Sequence, residues 1–324
     1  MVAEFSVAPM LNVTDRHCRM FLRLFSGRMK LYTEMTVCGA VIHGQRARFL
    51  DFDPRERPLA LQLAGSDPAQ LAWCARLAEE AGYDEVNLNI GCPSARVQNG
   101  RFGACLMAEP GRVADCVAAM RAAVAIPVTV KTRTGIDNRD SYEHLAAFIA
   151  RVSQSGCEHF IIHARKAWLQ GLSPKQNRLV PKLRYERVYR LKRDFPAIRF
   201  TINGGISTLD QALGHLRHVD GVMIGREARH RPWMLSAVDR VIFKAADAAP
   251  ATRVETVRAY LPYVEQQLAR GVYLRHLTRH ILGLFHGQPG ARGWRRHLSG
   301  QGSGQGAGVE VIREALKIVE EAAG

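Results

Sequence analysis

Short apolar or β-branched runs alternate with segments of helical periodicity, and this repetition constrains the fold more than any other feature of the chain. The eight runs are FSVAPM (5–10), KLYTEM (30–35), LALQLAG (59–65), EVNLNIG (85–91), VTVKTR (128–133), HFIIHA (159–164), FTINGG (200–205) and GVMIGR (221–226). Most are apolar along nearly their whole length, as parallel strands covered on both faces are. They predict an α/β fold of the TIM (β/α)8 barrel type. The alternative is a doubly wound sheet, but its G-x-G-x-x-G fingerprint does not follow the first run.

The segments between the runs carry helix signals, and the C-terminal part of the chain carries only these. In SDPAQLAWCARLAEEAG we expect Ser66 as the N-cap and Gly82 as the helix end. The alternation stops at KAADAAPATR (244–253). We therefore predict a barrel domain at 1–243, a linker at 244–252 and a small all-helical domain at 253–324. Inside that domain, SGQGSGQGAG (299–308) indicates a flexible linker before a last helix.

Composition and charge narrow the class of protein. Of the 324 residues, 47% are hydrophobic and 23% charged, which is typical of a globular protein. Forty-five Lys and Arg against 30 Asp and Glu leave a net charge of +15. From Arg253 to His297 there are eight arginines and two acids, so the helical domain concentrates the excess. A nucleic acid partner is one reading, and a generally basic surface is the other.

Cysteine usage and hydropathy exclude several further classes. The seven cysteines contain no C-x-x-C pair, which argues against a disulfide framework and structural zinc, and we predict no metal site. No apolar run approaches the roughly 18 residues that span a bilayer. The start, MVAEFSVAPM, lacks the layout of a secretion signal. We expect a cytoplasmic protein without a membrane partner.

Polar residues and glycines stand at the strand ends, where TIM barrels place their active sites. The polar residues are Gln62, Asn87, Asn89, Lys131, Arg133, His163 and Asn203. Gly204 and Gly205 follow the seventh run, and Gly225 with Arg226 closes the eighth. Such barrels commonly bind phosphate at these two loops, so the glycines indicate a phosphorylated cofactor such as FMN. Tight turns without a ligand are the alternative.

Three strand-end side chains have open roles. Lys131 would face the barrel mouth, where an ammonium is costly unless it meets an anion such as reduced flavin or an internal acid such as Glu34. His163 ends an apolar strand and is either a site residue or a core histidine. Cys92 follows the fourth run in NLNIGCPSARVQNGRFGACL, so a role as acid, nucleophile or thiolate is open. In contrast, Cys18, Cys74 and Cys116 fall within helical patterns and should be buried.

One long connection between strand and helix is strongly basic. RKAWLQGLSPKQNRLVPKLR (165–184) holds six basic residues and no acid. That composition suits a phosphate backbone better than a small acid or sugar.

Together these motifs resemble the tRNA-dihydrouridine synthases along essentially the whole chain. The resemblance is carried by VAPM, LYTEM, ALQLAGSDP, NLNIGCPS, VQNGRFGACLM, VTVKTRTGID, IIHARKAWLQGLSPKQNR, TINGGI, DGVMIGR and RHILGLFHGQPGARGWRRHL. The HARKAWLQGLSPK and GLFHGQPGAR segments are most similar to the A subfamily, which reduces uridines near position 20 of the tRNA D-loop.

The resemblance implies a role for each matching residue. FMN would contact Pro9, Met10, Gln62, Lys131, His163, Asn203, Gly204, Gly205, Gly225 and Arg226. The tRNA would contact Asn89 at the target uridine and Lys175, Arg178, Arg292 and Arg295 elsewhere. Cys92 would be the general acid.

The resemblance also implies the reaction. NADPH reduces FMN, a hydride passes from flavin N5 to C6 of uracil, and the Cys92 thiol protonates C5. A thiol is mostly protonated at neutral pH yet can release its proton, which suits an acid. No obligate protein partner is implied, and a monomer is expected. The competing functions are an FMN barrel acting on a free dihydropyrimidine such as dihydroorotate, and a non-catalytic RNA-binding barrel.

Overall fold

A computed structural model describes residues 3–246, 249–302, 304 and 306–323. Its contacts group the chain into two units, Met1–Leu11 with Lys30–Gly225, and Asn12–Met29 with Arg226–Gly324. The helical unit thus includes the segment between the first two strands, which the domain limits predicted from the sequence assign to the barrel. The predicted domain boundaries at 243 and 253 therefore stay a prediction. Of the two predicted linkers, Asp247, Ala248, Ser303 and Gln305 lie outside the described residues.

All strands of the first unit run parallel in one sheet that closes on itself. They are β1 (Glu4–Val7), β2 (Leu31–Tyr32), β3 (Thr36–Val37), β4 (Leu59–Ala64), β5 (Glu85–Asn89), β6 (Val128–Arg133), β7 (His159–His163), β8 (Arg199–Asn203) and β9 (Gly221–Ile224). Their order is β1-β9-β8-β7-β6-β5-β4-β2, with β3 also on β4. A bridge between Ser6 and Lys30 joins the two ends. The predicted TIM barrel is confirmed.

The second predicted strand differs from its expected form. Instead of one run over 30–35, two short strands, β2 and β3, pair with β4 in succession. Between them the hydroxyl of Thr33 accepts the N–H of Gln62 at 3.0 Å. The ladder breaks there because a side chain takes the place of a backbone acceptor.

Helices cover the outside of the barrel and build the second unit. In chain order they are α1 (Arg16–Arg23), α2 (Cys38–His43), α3 (Arg46–Leu50), α4 (Pro68–Glu80), α5 (Ala95–Asn99), α6 (Pro110–Ala123), α7 (Tyr142–Ser153), α8 (Tyr185–Asp194), α9 (Leu209–Leu216), α10 (Arg226–His230), α11 (Val238–Val241), α12 (Arg253–Ala269), α13 (Leu274–Thr278), α14 (Ala291–Gln301) and α15 (Glu310–Glu321). The N-cap of α4 is Asp67, not Ser66, because the Asp67 carboxylate accepts the N–H of Gln70 at 2.8 Å.

The second unit consists of α1 and α10 to α15. Asp15 caps α1 by accepting the N–H of Cys18 at 2.8 Å, and it pairs with His280 at 2.9 Å. Trp294 of α14 is fully buried and donates its indole N–H to Ile281 O at 3.2 Å. Helix α14 continues to Gln301, so the predicted linker at 299–308 begins later than expected. Among the described residues, no helix is both long and apolar enough to cross a membrane.

Two ends of the barrel matter for function. We call the C-terminal strand ends the mouth and the N-terminal ends the floor. Between them an apolar layer fills the interior, with Ala8, Tyr32, Ala60, Ile161 and Met223 packed together.

Candidate active site

Parallel pairing places the predicted strand-end residues side by side in the mouth. Gln62 pairs with Asn87, Asn89 with Lys131, Arg133 with His163, and His163 with Asn203. Side chains two residues apart on one strand lie on the same face of the sheet, and paired residues on neighbouring strands share that face. The strand-end polar set is therefore one contiguous wall of the mouth.

Cys92 lies just beyond β5, and hydrogen bonds hold both its backbone N–H and its backbone carbonyl. Its N–H donates to Asn89 Oδ1 at 3.0 Å, and its carbonyl accepts the N–H of Ala104 at 3.0 Å. The thiol donates to Ser94 Oγ at 3.5 Å and is partly exposed. Cys92 and Cys105 are the half-buried cysteines, whereas the other five, which include Cys18, Cys74 and Cys116, are buried as expected. A held backbone with an accessible thiol is the arrangement that proton donation to a bound substrate requires.

Lys131 carries a positive charge that the protein leaves uncompensated. Its ammonium donates to Asn203 Oδ1 at 3.2 Å, and among the described residues it pairs with no carboxylate, so the alternative of an ion pair with Glu34 is not realised. Burial, followed by the nearby charge of Arg133, lowers the pKa of Lys131 to about 7. A desolvated ammonium with a neutral partner is the group that an anionic ligand would complete.

Glycines shape the mouth at the ends of β8 and β9. Gly204 and Gly205 have φ of +115° and +74°, and a Cβ on Gly204 would lie 2.5 Å from His163 Cδ2. Gly225 differs, because a Cβ there would meet no described atom closer than Ala8 Cβ at 3.7 Å. The first two glycines are required by the backbone and by His163. The fold does not require the third, because a Cβ there would make only ordinary contacts with Ala8 and with Met10 Sδ at 3.9 Å.

Three further residues support the site: Arg133, expected at a strand end but given no role, and Asn177 and Thr129, which the sequence did not single out. Arg133 is buried and donates from Nε to Gly91 O at 2.8 Å and from Nη1 to Asn177 O at 3.1 Å. Burial above all lowers the pKa of Arg133 to about 10. Asn177 is fully buried and bonds both the N–H and the carbonyl of Trp168. Thr129 hydrogen-bonds Asn87 at 2.8 Å. Period-two alternation in VTVKTR could have added Thr129 to Lys131 and Arg133.

The basic loop at 165–184 is anchored at Asn177 and exposes cationic side chains. Lys175 and Arg178 are exposed, as are the apolar Leu179 and Val180. All four belong to the barrel unit.

Three predicted site residues belong to the helical unit. Arg226 is exposed and begins α10. Arg292 and Arg295 are exposed on α14, and Trp294 and Leu298 form the buried face of that helix. This spacing separates an arginine face from an apolar face, as expected for a helix that packs on one side only. The roles predicted for these and the other site residues stay predictions.

Comparison with solved structures places the fold in a defined class. Morphinone reductase matches with a TM-score of 0.51 at 14% identity, over 78% of this chain and 88% of that chain. A structure of morphinone reductase in complex with tetrahydroNAD matches equally, over 78% of this chain and 89% of that chain. At this identity the likeness concerns the fold, a (β/α)8 barrel.

Comparison of the sequence is more specific. The family model described as Dihydrouridine synthase (Dus) matches residues 6–320. A Salmonella typhimurium protein named tRNA-dihydrouridine(20/20a) synthase is 62% identical over 319 residues, which cover 98% of this chain and 96% of that protein. An Escherichia coli K12 protein of the same name is 61% identical, over 98% of this chain and 92% of that protein. The chain belongs to the dihydrouridine synthase family of enzymes, so the resemblance drawn from the motifs is confirmed.

Proposed function

We propose that this enzyme reduces the C5=C6 bond of a uridine in the tRNA D-loop, near position 20, to 5,6-dihydrouridine. The observation that carries the proposal is the presence, in one mouth, of a half-buried ammonium at Lys131 that pairs with no carboxylate among the described residues and a held, accessible thiol at Cys92. The first suits an anionic cofactor and the second suits a proton donor. The shared name of the relatives at about 60% identity supports the same substrate.

The residues present fit FMN. The ammonium of Lys131 lacks an anion, and Gly225 leaves a space that a Cβ would otherwise occupy. We propose that Lys131 and Gln62 face the flavin ring, and that Gly204, Gly205 and Gly225 face the phosphate through their backbone N–H groups. Pro9, Met10, His163, Asn203 and Arg226 complete the proposed set. The chemistry that this cofactor supplies when bound is hydride transfer, here to C6 of uracil, with NADPH as reductant.

The proton that C5 takes up is held at Sγ of Cys92. Asn89 Oδ1 accepts the N–H of Cys92 at 3.0 Å, and Arg133 holds the carbonyl of the preceding Gly91 at 2.8 Å. These two bonds limit the positions that the thiol can reach. Asn89 keeps a second amide N–H that can be offered to an oxygen of the uracil ring. General acid catalysis of this kind contributes about 10²–10⁴ in rate.

The tRNA contacts are proposed from charge and exposure. Lys175 and Arg178 project from an acid-free loop, and Arg292 and Arg295 form the exposed face of α14. Each neutralised phosphate releases counterions, so such contacts make affinity salt-dependent. The target base must leave the RNA stack to enter a barrel mouth. The family resemblance implies no obligate protein partner, and we propose that the enzyme acts as a cytoplasmic monomer.

Two measurements test the proposal as a whole. The purified protein should show the visible absorption of oxidised flavin, with FMN released on denaturation, and should consume NADPH. Dihydrouridine should be absent near position 20 in tRNA from a strain that lacks the gene and should return with the wild-type gene. A colourless protein would exclude the cofactor assignment. Unchanged dihydrouridine in tRNA, together with turnover of a free dihydropyrimidine, would mean that the substrate is the free dihydropyrimidine and not tRNA.

Charge reversal tests the helical unit as a tRNA surface. Arg292→Glu with Arg295→Glu should weaken tRNA binding and reduce the slope of log affinity against log salt by about one for each phosphate that is no longer neutralised. The matched control is Arg270→Glu with Lys317→Glu, because both residues are exposed in the same unit and change the charge equally. An equal loss of affinity in both double variants would mean that only net charge matters.

A further inference from the structure

A continuous series of hydrogen bonds crosses the barrel interior from the floor to Cys92. We call its members the polar relay, and they are Glu85, Thr129, Asn87, Gln62 and Asn89. Every member is at least nine-tenths buried. Thr129 and the three amides alternate between neighbouring strands because Gln62 pairs with Asn87 and Asn87 pairs with Thr129 in the sheet register.

The bonds of the polar relay all point the same way. Thr129 Oγ1 donates to Glu85 Oε1 at 2.6 Å, and Asn87 Nδ2 donates to Thr129 Oγ1 at 2.8 Å. Gln62 Nε2 donates to Asn87 Oδ1 at 2.7 Å, and Asn89 Nδ2 donates to Gln62 Oε1 at 2.9 Å. Asn89 Oδ1 then remains to accept the N–H groups of Gly91 at 3.1 Å and Cys92 at 3.0 Å. The relay thus ends on the peptide that carries the thiol.

Groups that cannot reverse define both ends of the polar relay. An ionised carboxylate only accepts hydrogen bonds, and a peptide N–H only donates them. If the side-chain amides of Asn87, Gln62 and Asn89 were all turned over, the Thr129 hydroxyl would have to donate to Asn87. Thr129 Oγ1 and Glu85 Oε1, which lie 2.6 Å apart, would then have no proton between them. Asn89 would then point its NH₂ group at the N–H of Cys92. Because each link has a single compatible orientation, the acceptor at Glu85 and the N–H groups of Gly91 and Cys92 together fix which atom of Asn89 faces Cys92.

Side chains at the floor hold the Glu85 carboxylate in place. Lys30 Nζ lies 2.7 Å from Glu85 Oε2, and the Tyr32 hydroxyl donates to Glu85 Oε1 at 3.1 Å. Burial disfavours the charged Lys30, but the carboxylates of Glu85 and Glu4 outweigh it and raise its pKa. Lys30 thus stays charged over the whole physiological range of pH.

We propose that Glu85 and Thr129 are positioning residues for the thiol of Cys92, acting through Asn87, Gln62 and Asn89. Neither residue touches the substrate in this assignment. Their effect is to keep Asn89 Oδ1 on the N–H of Cys92, so that the peptide carrying the thiol has one position. The inference rests on the proposed function for its catalytic consequence, whereas the hold on the Cys92 peptide can be measured without turnover.

Thr129→Val tests the polar relay with little change in volume. Valine removes the hydroxyl that Asn87 needs, so the turned-over arrangement of the amides loses the part of its penalty that arises at the floor, and Asn89 is held less firmly. We expect the step in which tRNA oxidises the reduced enzyme to slow about tenfold to a hundredfold, since small misplacements of a reacting group cost that much. Thr129→Ser should restore the rate because it restores the hydroxyl.

A second readout follows the peptide itself. In protein labelled with ¹⁵N-cysteine, the seven cysteine N–H groups give separate signals, and Cys92→Ser identifies that of Cys92. In the flavin-loaded protein, Thr129→Val should speed hydrogen exchange at Cys92 roughly fivefold to tenfold relative to the other cysteines, as loss of one hydrogen bond implies. A merely structural role would speed exchange at buried cysteines as well.

Matched variants keep the outcome interpretable. Thr201→Val removes a buried hydroxyl of the same barrel that bonds His159 at 2.8 Å and Glu4 at 3.4 Å but no member of the relay, so both readouts should stay at wild-type level. Should Thr129→Val not fold, Glu85→Gln is nearly isosteric and removes the charge at the floor end of the relay.

The results separate the two proposals. Wild-type exchange at Cys92 in both Thr129→Val and Glu85→Gln overturns the polar relay, as does an equal effect in Thr201→Val. If the wild-type protein fails to reduce tRNA while exchange at Cys92 still responds to Thr129→Val, the proposed function fails and the relay stands.

Discussion

The barrel contains two lysines in its interior, one at the floor and one at the mouth, and their surroundings are opposite. Lys30 at the floor lies 2.7 Å from the carboxylates of both Glu4 and Glu85, and their charges raise its pKa despite burial. Lys131 at the mouth has the amide of Asn203 at 3.2 Å, and burial lowers its pKa to about 7. Both lie on the same closed sheet. The charge of the floor lysine is thus balanced within the protein, whereas the mouth lysine has a neutral partner, as the proposed anionic cofactor would require.

The largest expected effect concerns one thiol at each end. Cys92→Ala should retain bound flavin and NADPH oxidation but lose about 10²–10⁴ in tRNA turnover, because only the proton donor is removed. Cys157 at the floor is buried, donates to His159 O at 3.4 Å, and has its pKa raised by burial to about 12. Cys157→Ala should keep turnover and lose about 1 kcal/mol of unfolding free energy. Single-turnover kinetics and urea unfolding compare the two variants, and full tRNA turnover in Cys92→Ala would refute the acid assignment.

The two lysines should respond to the same substitution in opposite ways. Lys30→Met removes the ammonium that lies 2.7 Å from two buried carboxylates, of which Glu4 keeps only more distant cations such as Arg199 at 3.9 Å, and should cost about 3–5 kcal/mol of unfolding free energy. Lys131→Met removes a desolvated charge, so the flavin-free protein should be no less stable than wild type. Its flavin should bind at least about tenfold more weakly, since a charged hydrogen bond is lost.

Urea unfolding of the flavin-free proteins and flavin fluorescence titration measure these two effects. Tight flavin binding by Lys131→Met would show that the mouth charge serves another ligand.

Glycines at the two ends extend the same contrast. Gly221 begins β9 at the floor, and a Cβ there would lie 2.4 Å from Thr201 Oγ1. Gly221→Ala should therefore cost about 1–3 kcal/mol of stability through overpacking. Gly225→Ala at the mouth meets no described atom closer than 3.7 Å, so stability should hold while flavin affinity falls. The pair is checked by thermal unfolding without flavin and by titration with FMN, and unchanged FMN affinity in Gly225→Ala would argue against a close approach of the cofactor.

The most gradual expected effect is a pH dependence of the flavin-free protein. Between pH of about 7 and about 10.4, the unfolded chain holds a proton on Lys131 that the folded chain has released. The unfolding free energy contributed by this group should therefore rise with pH across that window, by at most about 1.4 kcal/mol per pH unit. The difference between wild type and Lys131→Met, followed by urea unfolding, isolates the contribution. A difference that does not change with pH would mean that Lys131 is hydrated in solution.

Much of this arrangement was accessible from local patterns. The apolar runs correspond to strands, with VTVKTR matching β6 residue for residue. The buried face of α7, with Leu145, Phe148, Ile149 and Val152, follows directly from helical spacing. Where prediction failed, a competing local contact decided, as when Asp67 displaced Ser66 as the cap of α4. Similarly, the expected long strand at 30–35 broke because Thr33 offered its hydroxyl to Gln62.

The sequence by itself determined the barrel, the family and the positions of polar residues at strand ends, because these depend on periods of two and 3.6 residues and on short motifs. Which of those residues contact each other is visible only in the three-dimensional structure. Lys30 and Lys131 are both lysines on predicted strands, and the sequence does not distinguish them. Closure of the sheet brings Glu4 and Glu85 to Lys30, whereas Lys131 meets a neutral amide. The polar relay likewise depends on register between strands that are far apart in the chain. Compensation of charge is a property of such non-local pairing, and it distinguishes the floor from the mouth.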